Sequence, residues 1–152
     1  MNLRQTGFTM VELVVTMIII GIMAVVAVPR FSNIGAFDAR GAGDQVAAYL
    51  RFAQKSALAQ RRYVSISGLA STSAAPILAV WPNADCATGT STPLSMPTTF
   101  RTSTQALAAG TNSVCFDTLG GATATATITF SADGSVVRTV TVHAVTGFIH
   151  AS

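Results

Sequence analysis

Gly7-Phe8-Thr9-Met10-Val11-Glu12-Leu13 opens onto LVVTMIIIGIMAVVAV, residues 13–28, and Pro29 closes the run. From Leu13 to Val28 there are 16 residues without a charge; counted from Phe8, the apolar stretch is 21 residues with a single charge, Glu12. As a helix at ~1.5 Å per residue it would be about 32 Å long, enough to cross a hydrocarbon core. Three readings compete. A secretory signal peptide would use Arg4 as its basic leader and a small-residue cleavage site near Ala27. A plain membrane anchor would use the same run. Both leave Glu12 unpaired in an apolar helix, at a cost of about 2.5–3.5 kcal/mol or more. The third reading uses Glu12. Cleavage after Gly7 gives Phe8 a free amine four residues before the carboxylate, and the two charges can neutralise each other between neighbouring subunits.

Composition agrees with an anchor joined to a polar remainder. Half of the 152 residues are apolar and 10% are charged, against about 25% in average chains. Mean hydropathy is +0.53. These values argue against disorder, which needs low hydrophobicity and high charge, and against an ordinary cytosolic enzyme. Much of the apolar excess lies in the first 28 residues, and the remainder is rich in Ser, Thr and Ala. The net charge of +3 is too mild to signal nucleic-acid binding. Loss of residues 1–7, with Arg4, would leave +2.

The combination of a cleavage glycine, a Phe, a Glu at fixed offset, about 20 apolar residues and a proline resembles the type IV prepilin N-terminus. The likeness covers roughly residues 4–31. It implies cleavage between Gly7 and Phe8 by an inner-membrane prepilin peptidase, N-methylation of Phe8, and an assembly role for Glu12. It also implies a helix that is first a membrane anchor among lipids and then the core of a helical filament. The partners implied are other pilin subunits, major and minor, and the inner-membrane assembly platform. Before assembly the chain would be a single-pass inner-membrane protein with its head in the periplasm. Pro29 removes a backbone donor and clashes with the preceding turn, so a kink or local melting is expected over Val25–Pro29.

Residues 30–44 contain Gly35, Gly41 and Gly43, each costing about 1 kcal/mol in a helix interior, and read as a weak helix or a break. From Gln45 to Arg62 the composition favours helix. Val46, Leu50, Ala53 and Ala57 form one apolar face, and Asp44 is the expected N-cap. Arg51, Lys55 and Arg62 fall within about 40° of each other on a helical wheel, with Arg61 beside them. This basic stripe is a candidate contact for DNA phosphates or for an acidic neighbouring subunit. The alternative is a solvated face with favourable charge near a helix C-terminus.

After Arg62 the pattern changes to short β-like runs: Tyr63–Ser67, Ile77–Trp81, Val114–Phe116, Ala124–Phe130, Val136–His143 and Gly147–His150. Alternation is strict in Ala126-Thr127-Ile128-Thr129-Phe130 and in Val140-Thr141-Val142-His143, the period of a half-buried strand. Ala132-Asp133-Gly134-Ser135 signals a hairpin. Residues 82–113 read mainly as a long loop, with a short strand near Thr99–Arg101. Trp81 is expected in the core, His143 on a strand face and His150 on the terminal surface. AAYLRFAQKSALAQRRYVSIS, with the later CFDTLGG, ITFS and TVTVHAVTGFIH, is similar to the GspH/FimT group of pilin-like proteins. The ending Thr146–His150 looks most like minor pilins of the mannose-sensitive haemagglutinin (MSHA) type. In some FimT-like members a Gly-Arg-x-Arg segment near the C-terminus binds DNA. Here Phe148, Ile149 and His150 follow Gly147, so the arginines are missing and DNA is not an expected partner.

Cys86 and Cys115 belong to the exported part, and an oxidising periplasm favours a disulfide between them. Two Cys and two distant His lack the spacing of a zinc site. No nucleophile-elbow, phosphate-loop, zinc-protease or dinucleotide motif occurs. Neither metal, cofactor nor enzyme activity is expected. The whole reads as an α+β pilin-like subunit. Residues 1–7 form a leader, 8–29 an anchor and filament-core helix, and 30–62 an amphipathic second half of the helix. Residues 63–152 form a β-rich head with an antiparallel sheet. The expected function is that of a structural minor pilin or pseudopilin of a type IV pilus or type II secretion pseudopilus. The alternative is a DNA-uptake or adhesion pilin.

Overall fold

A computed structural model describes residues 8–31, 34–71, 74–83, 86–87, 89–96 and 107–152. Packing divides the chain after Ile34 into an N-terminal helical unit and a head, Gly35–Ser152. In the first unit, α1 spans Met10–Phe31. From residue 10 to residue 25 every side chain of α1 is exposed except the half-buried Thr16. Thr16 returns its hydroxyl proton to the Leu13 carbonyl (2.8 Å), which satisfies the polar group inside an apolar helix. The backbone stays helical across Val25–Pro29 and on to Phe31. Of the kink or local melting expected there, the melting is absent: the helix continues through Pro29, whose fixed φ suits a helix although its ring removes one donor.

α2 spans Ile34–Gln60, in the head from Gly35 onward, followed by β1 (Tyr63–Ser67), β2 (Ile77–Trp81), β3 (Thr92–Leu94), β4 (Leu107–Gly110), β5 (Ser113–Phe116), β6 (Ala126–Ala132), β7 (Ser135–Val142) and β8 (Ile149–Ala151). The strands form two antiparallel four-stranded sheets, β3-β2-β1-β5 and β4-β6-β7-β8. The sequence points to one sheet; Ala122 joins the two by pairing with both Phe116 and Ala144. Alternation explains the strands. Val64 and Ile66 of β1, and Ile128 and Phe130 of β6, turn inward and are fully buried. The threonines between them in β6 are the outward-facing, more exposed positions. Asp133 and Gly134 both take positive φ, 51° and 76°, the two-residue turn that suits the twist of a hairpin.

The helix starts ten residues earlier than the expected cap at Asp44. Gly35, Ala39, Ala42 and Gly43 are buried on the same face as Val46, Leu50, Ala53 and Ala57. Small side chains let this face approach the sheets, and that packing offsets the propensity cost of the glycines. A Cβ at Gly43 would press on Arg138 Cβ at 3.1 Å and on the Phe130 ring at 3.2 Å. Asp44, in mid-helix, instead accepts from Nε (3.1 Å) and Nη2 of Arg138 on β7. Helix and sheets share one core, centred on Tyr49, Leu50, Phe116 and Phe130.

Two strands lie where the sequence suggests a loop. β3 holds Pro93 and is an edge strand, where a missing donor is tolerated. β4, Leu-Ala-Ala-Gly, carries no alternation to read. The strand expected near Thr99–Arg101 lies outside the described residues. Trp81 is half-buried, not in the core, and its indole N–H donates to the Ser65 hydroxyl (2.7 Å).

Candidate functional site

Two regions carry the residues singled out in the sequence. At the N-terminus, Gly7 lies outside the described residues, and Phe8 is 69% exposed. Thr9 caps α1. Its hydroxyl accepts the Glu12 N–H (3.2 Å), and its carbonyl accepts the Leu13 N–H (3.1 Å). Thr9-Met10-Val11-Glu12 thus has the capping-box spacing, a signal the sequence reading passed over. Glu12 sits in the first turn, where the helix macrodipole favours a carboxylate. Among the described residues no helix is long and apolar enough to cross a membrane. The exposed apolar side chains of α1 nevertheless find no cover within their own unit. Met10, Val11, Ile20 and Val25 are each at least 66% exposed, an apolar surface that calls for lipid or protein around it.

The second region is on the head. Arg51 and Lys55 are exposed one turn apart on α2. Between them Gln54 donates from Nε2 to two carbonyls, Gly120 (2.8 Å) and Gly147 (3.1 Å). One amide therefore ties two distant loops to the helix. The approach is close: Gly147 has φ 63°, and a Cβ there would run into the Gly120 carbonyl oxygen. The turn after β7 is closed by His143 N–H donating to the Phe148 carbonyl (2.9 Å) and Gly147 N–H to the His143 carbonyl (3.0 Å). His143 thus lies just beyond β7, off the strand face expected for it. The Phe148 ring, in a residue 60% exposed, stacks with His143 at 5.9 Å and with His150 at 6.4 Å. Arg51, Gln54, Lys55, Thr146, Phe148 and Ile149 line an open groove of about 490 Å³.

The basic stripe therefore splits. Arg51 and Lys55 meet the C-terminal segment, whereas Arg61 and Arg62 follow the last residue of α2 and do not line the groove. Arg61 takes φ 51°, and Arg62 N–H donates to the Ala57 carbonyl (3.3 Å). That is a helix C-cap with arginine in the left-handed position where glycine is usual. Phe148 and Gln54 were missed as site residues. No local pattern marks them, since the groove joins segments more than 90 positions apart.

Cys86 and Cys115 form a disulfide, with Cα atoms 6.1 Å apart. It ties the segment after β2 to β5. Among the described residues no group of three or more His, Cys, Asp or Glu is placed to hold a metal ion.

The sequence matches two family models: the prokaryotic N-terminal methylation motif over residues 2–28, and the type II transport protein GspH over residues 42–146, more than half of the chain. No curated protein matches it significantly. Two solved structures of the Pseudomonas aeruginosa (strain PAO1) type IV minor pilin FimU share its fold. The crystal form in space group P21 gives a TM-score of 0.55 at 21% identity, covering 74% of this chain and 86% of that one. The P65 form gives 0.53 at 19% identity, covering 74% and 90%.

Proposed function

This chain belongs to the type II transport protein GspH family and is a membrane-anchored minor pilin or pseudopilin subunit, and from that premise we propose how its N-terminus is processed and used. Prepilin peptidase cleaves between Gly7 and Phe8, and the new Phe8 amine is methylated. The apolar run of residues 13–28, which α1 carries, holds the chain in the inner membrane as a single span with the head in the periplasm. The assembly platform then transfers the subunit into a filament, where α1 packs among the helices of other pilin subunits. The family and fold are those of structural pilins, and no catalytic step is assigned to any residue.

The observation that carries this reading is the methylation motif seated at the start of an apolar, uncovered α1. In a filament core Glu12 needs a cation, and the Phe8 amine of an adjacent subunit supplies it; a lone buried carboxylate would cost several kcal/mol, on the order of 3–5. Pro29, near the end of α1, is the site where the helix bends to fit its neighbours. Mass spectrometry of the mature protein should find methylated Phe8 as the first residue, and sheared filaments should contain the chain. Glu12→Ala should still be inserted and cleaved, because the apolar run is intact, but should assemble poorly. A mature N-terminus near Val28, or normal incorporation of Glu12→Ala, would refute the scheme.

A further inference from the structure

We propose that the groove lined by α2, the turn before β8 and the start of β8 receives an extended acidic segment of a neighbouring, different pilin-like subunit, which adds to the open edge of β8 as a further strand. The proposal rests on the assembly reading above and names the partner surface.

Backbone parity exposes the edge. Thr139 and Ser152 exchange both backbone bonds (2.8 and 2.9 Å), and His143 N–H donates to Phe148. Bonded and non-bonded pairs alternate in an antiparallel ladder, so the Thr141–His150 pair is bonded too. The N–H and C=O groups of Ile149 and Ala151 then point away from β7. Among the described residues no strand pairs with β8 on that side. An open edge is a template for another strand. β3 and β4 border residues outside the described set, and β5 is partly occupied by Ala122. β8 is the edge whose first residue, Ile149, lines the groove together with Thr146 and Phe148 of the turn before it.

The groove selects charge. Arg51 and Lys55 have no ion-pair partner among the described residues, and the nearby acid Asp44 is engaged by Arg138. Four residues of helix separate them by about 6 Å along the axis. Alternate side chains on one face of a strand repeat at about 7 Å. An extended segment with acids at positions i and i+2 can therefore meet both cations. This chain does not supply one. Its six acids, Glu12, Asp38, Asp44, Asp85, Asp117 and Asp133, have no such spacing. The partner is accordingly a different subunit and not a second copy.

The test uses the full-length chain in cells, with the photo-cross-linking residue p-benzoylphenylalanine in place of Phe148. Cross-linked peptides are identified in sheared filaments. A link to a segment of another pilin-like subunit with acids two apart is expected. Ala151→Pro removes an N–H that bonds nothing within the chain and should lower the cross-link yield roughly fivefold. Arg51→Glu with Lys55→Glu should lower it by about tenfold or more; that pair carries the test if thermal unfolding shows Ala151→Pro to be misfolded. Links to nucleic acid, lipid or a non-acidic segment would overturn the docking site. So would unchanged yields, or a chain present in filaments without a groove cross-link. Absence of the wild-type chain from filaments would instead overturn the assembly reading, and the docking site with it.

Discussion

Gly41 and Gly43 lie two residues apart in α2, and alanine at these positions is expected to change stability in opposite directions. In a helix interior alanine is favoured over glycine by about 1 kcal/mol at either site. Gly41 is exposed, and a Cβ there meets nothing within 4 Å, so Gly41→Ala should retain the whole gain. For a head of this size that is about 4 °C in Tm. Gly43 is buried against β6 and β7, where its Cβ would crowd Arg138 Cγ and Cβ and the Phe130 ring. Arg138 cannot swing aside without releasing Asp44. That exposed ion pair contributes little, about 0.5 kcal/mol, but overpacking beside the fully buried Phe130 costs about 1–3 kcal/mol. The strain outweighs the propensity gain, so Gly43→Ala should lose up to about 2 kcal/mol. Thermal unfolding of the full-length protein in mild detergent, followed by circular dichroism, measures both variants. Combining Gly43→Ala with Arg138→Ala should recover part of the loss. A Gly43→Ala protein as stabilised as Gly41→Ala would refute the close-packed account of this helix face.

Three other perturbations test the head. The Cys86–Cys115 bond closes a 29-residue separation and should contribute about 3–4 kcal/mol in the chain-entropy model; urea unfolding with and without reductant measures it, and equal midpoints would contradict it. Gln54→Ala leaves the Gly120 and Gly147 carbonyls without their shared donor and should cost about 1–3 kcal/mol. Limited proteolysis of that variant should cut first at residues 117–121 and 143–148. Arg61→Gly should stabilise by about 1 kcal/mol, because glycine adopts the left-handed C-cap conformation without a Cβ penalty; a lower Tm would mean that the arginine side chain makes a compensating contact.

The elements written in local periodicity were legible. The apolar run, the 3.6-residue repeat of Val46, Leu50, Ala53 and Ala57, the alternation in β6 and the Asp133-Gly134 turn each state their structure within a few residues. The expectation failed where tertiary packing reversed a local preference. Gly35, Gly41 and Gly43 argue for a break in α2, yet two of the three are buried where a sheet requires small residues. Asp44 has the chemistry of a cap, but its partner, Arg138, lies on a strand 94 positions away. β3 and β4 are short edge strands whose partners, not their own sequences, make them strands.

The same division holds for the site. The methylation motif, Glu12 at its offset and the cysteine pair are short-range or compositional signals, so the order of residues suffices to read them. The basic stripe could be seen as four cations on one helical face, but its separation into a groove pair and a cap pair could not. α2 ends at Gln60, and Arg61 turns the chain away. The C-terminal segment likewise reads only as a terminus that lacks arginines. Antiparallel pairing of β7 with β8, and the bonds from Gln54 to Gly120 and Gly147, carry Phe148 beside Arg51 and Lys55. Helix and strand periods arise from bonds a few residues apart, whereas that groove arises from which distant segments the core draws together.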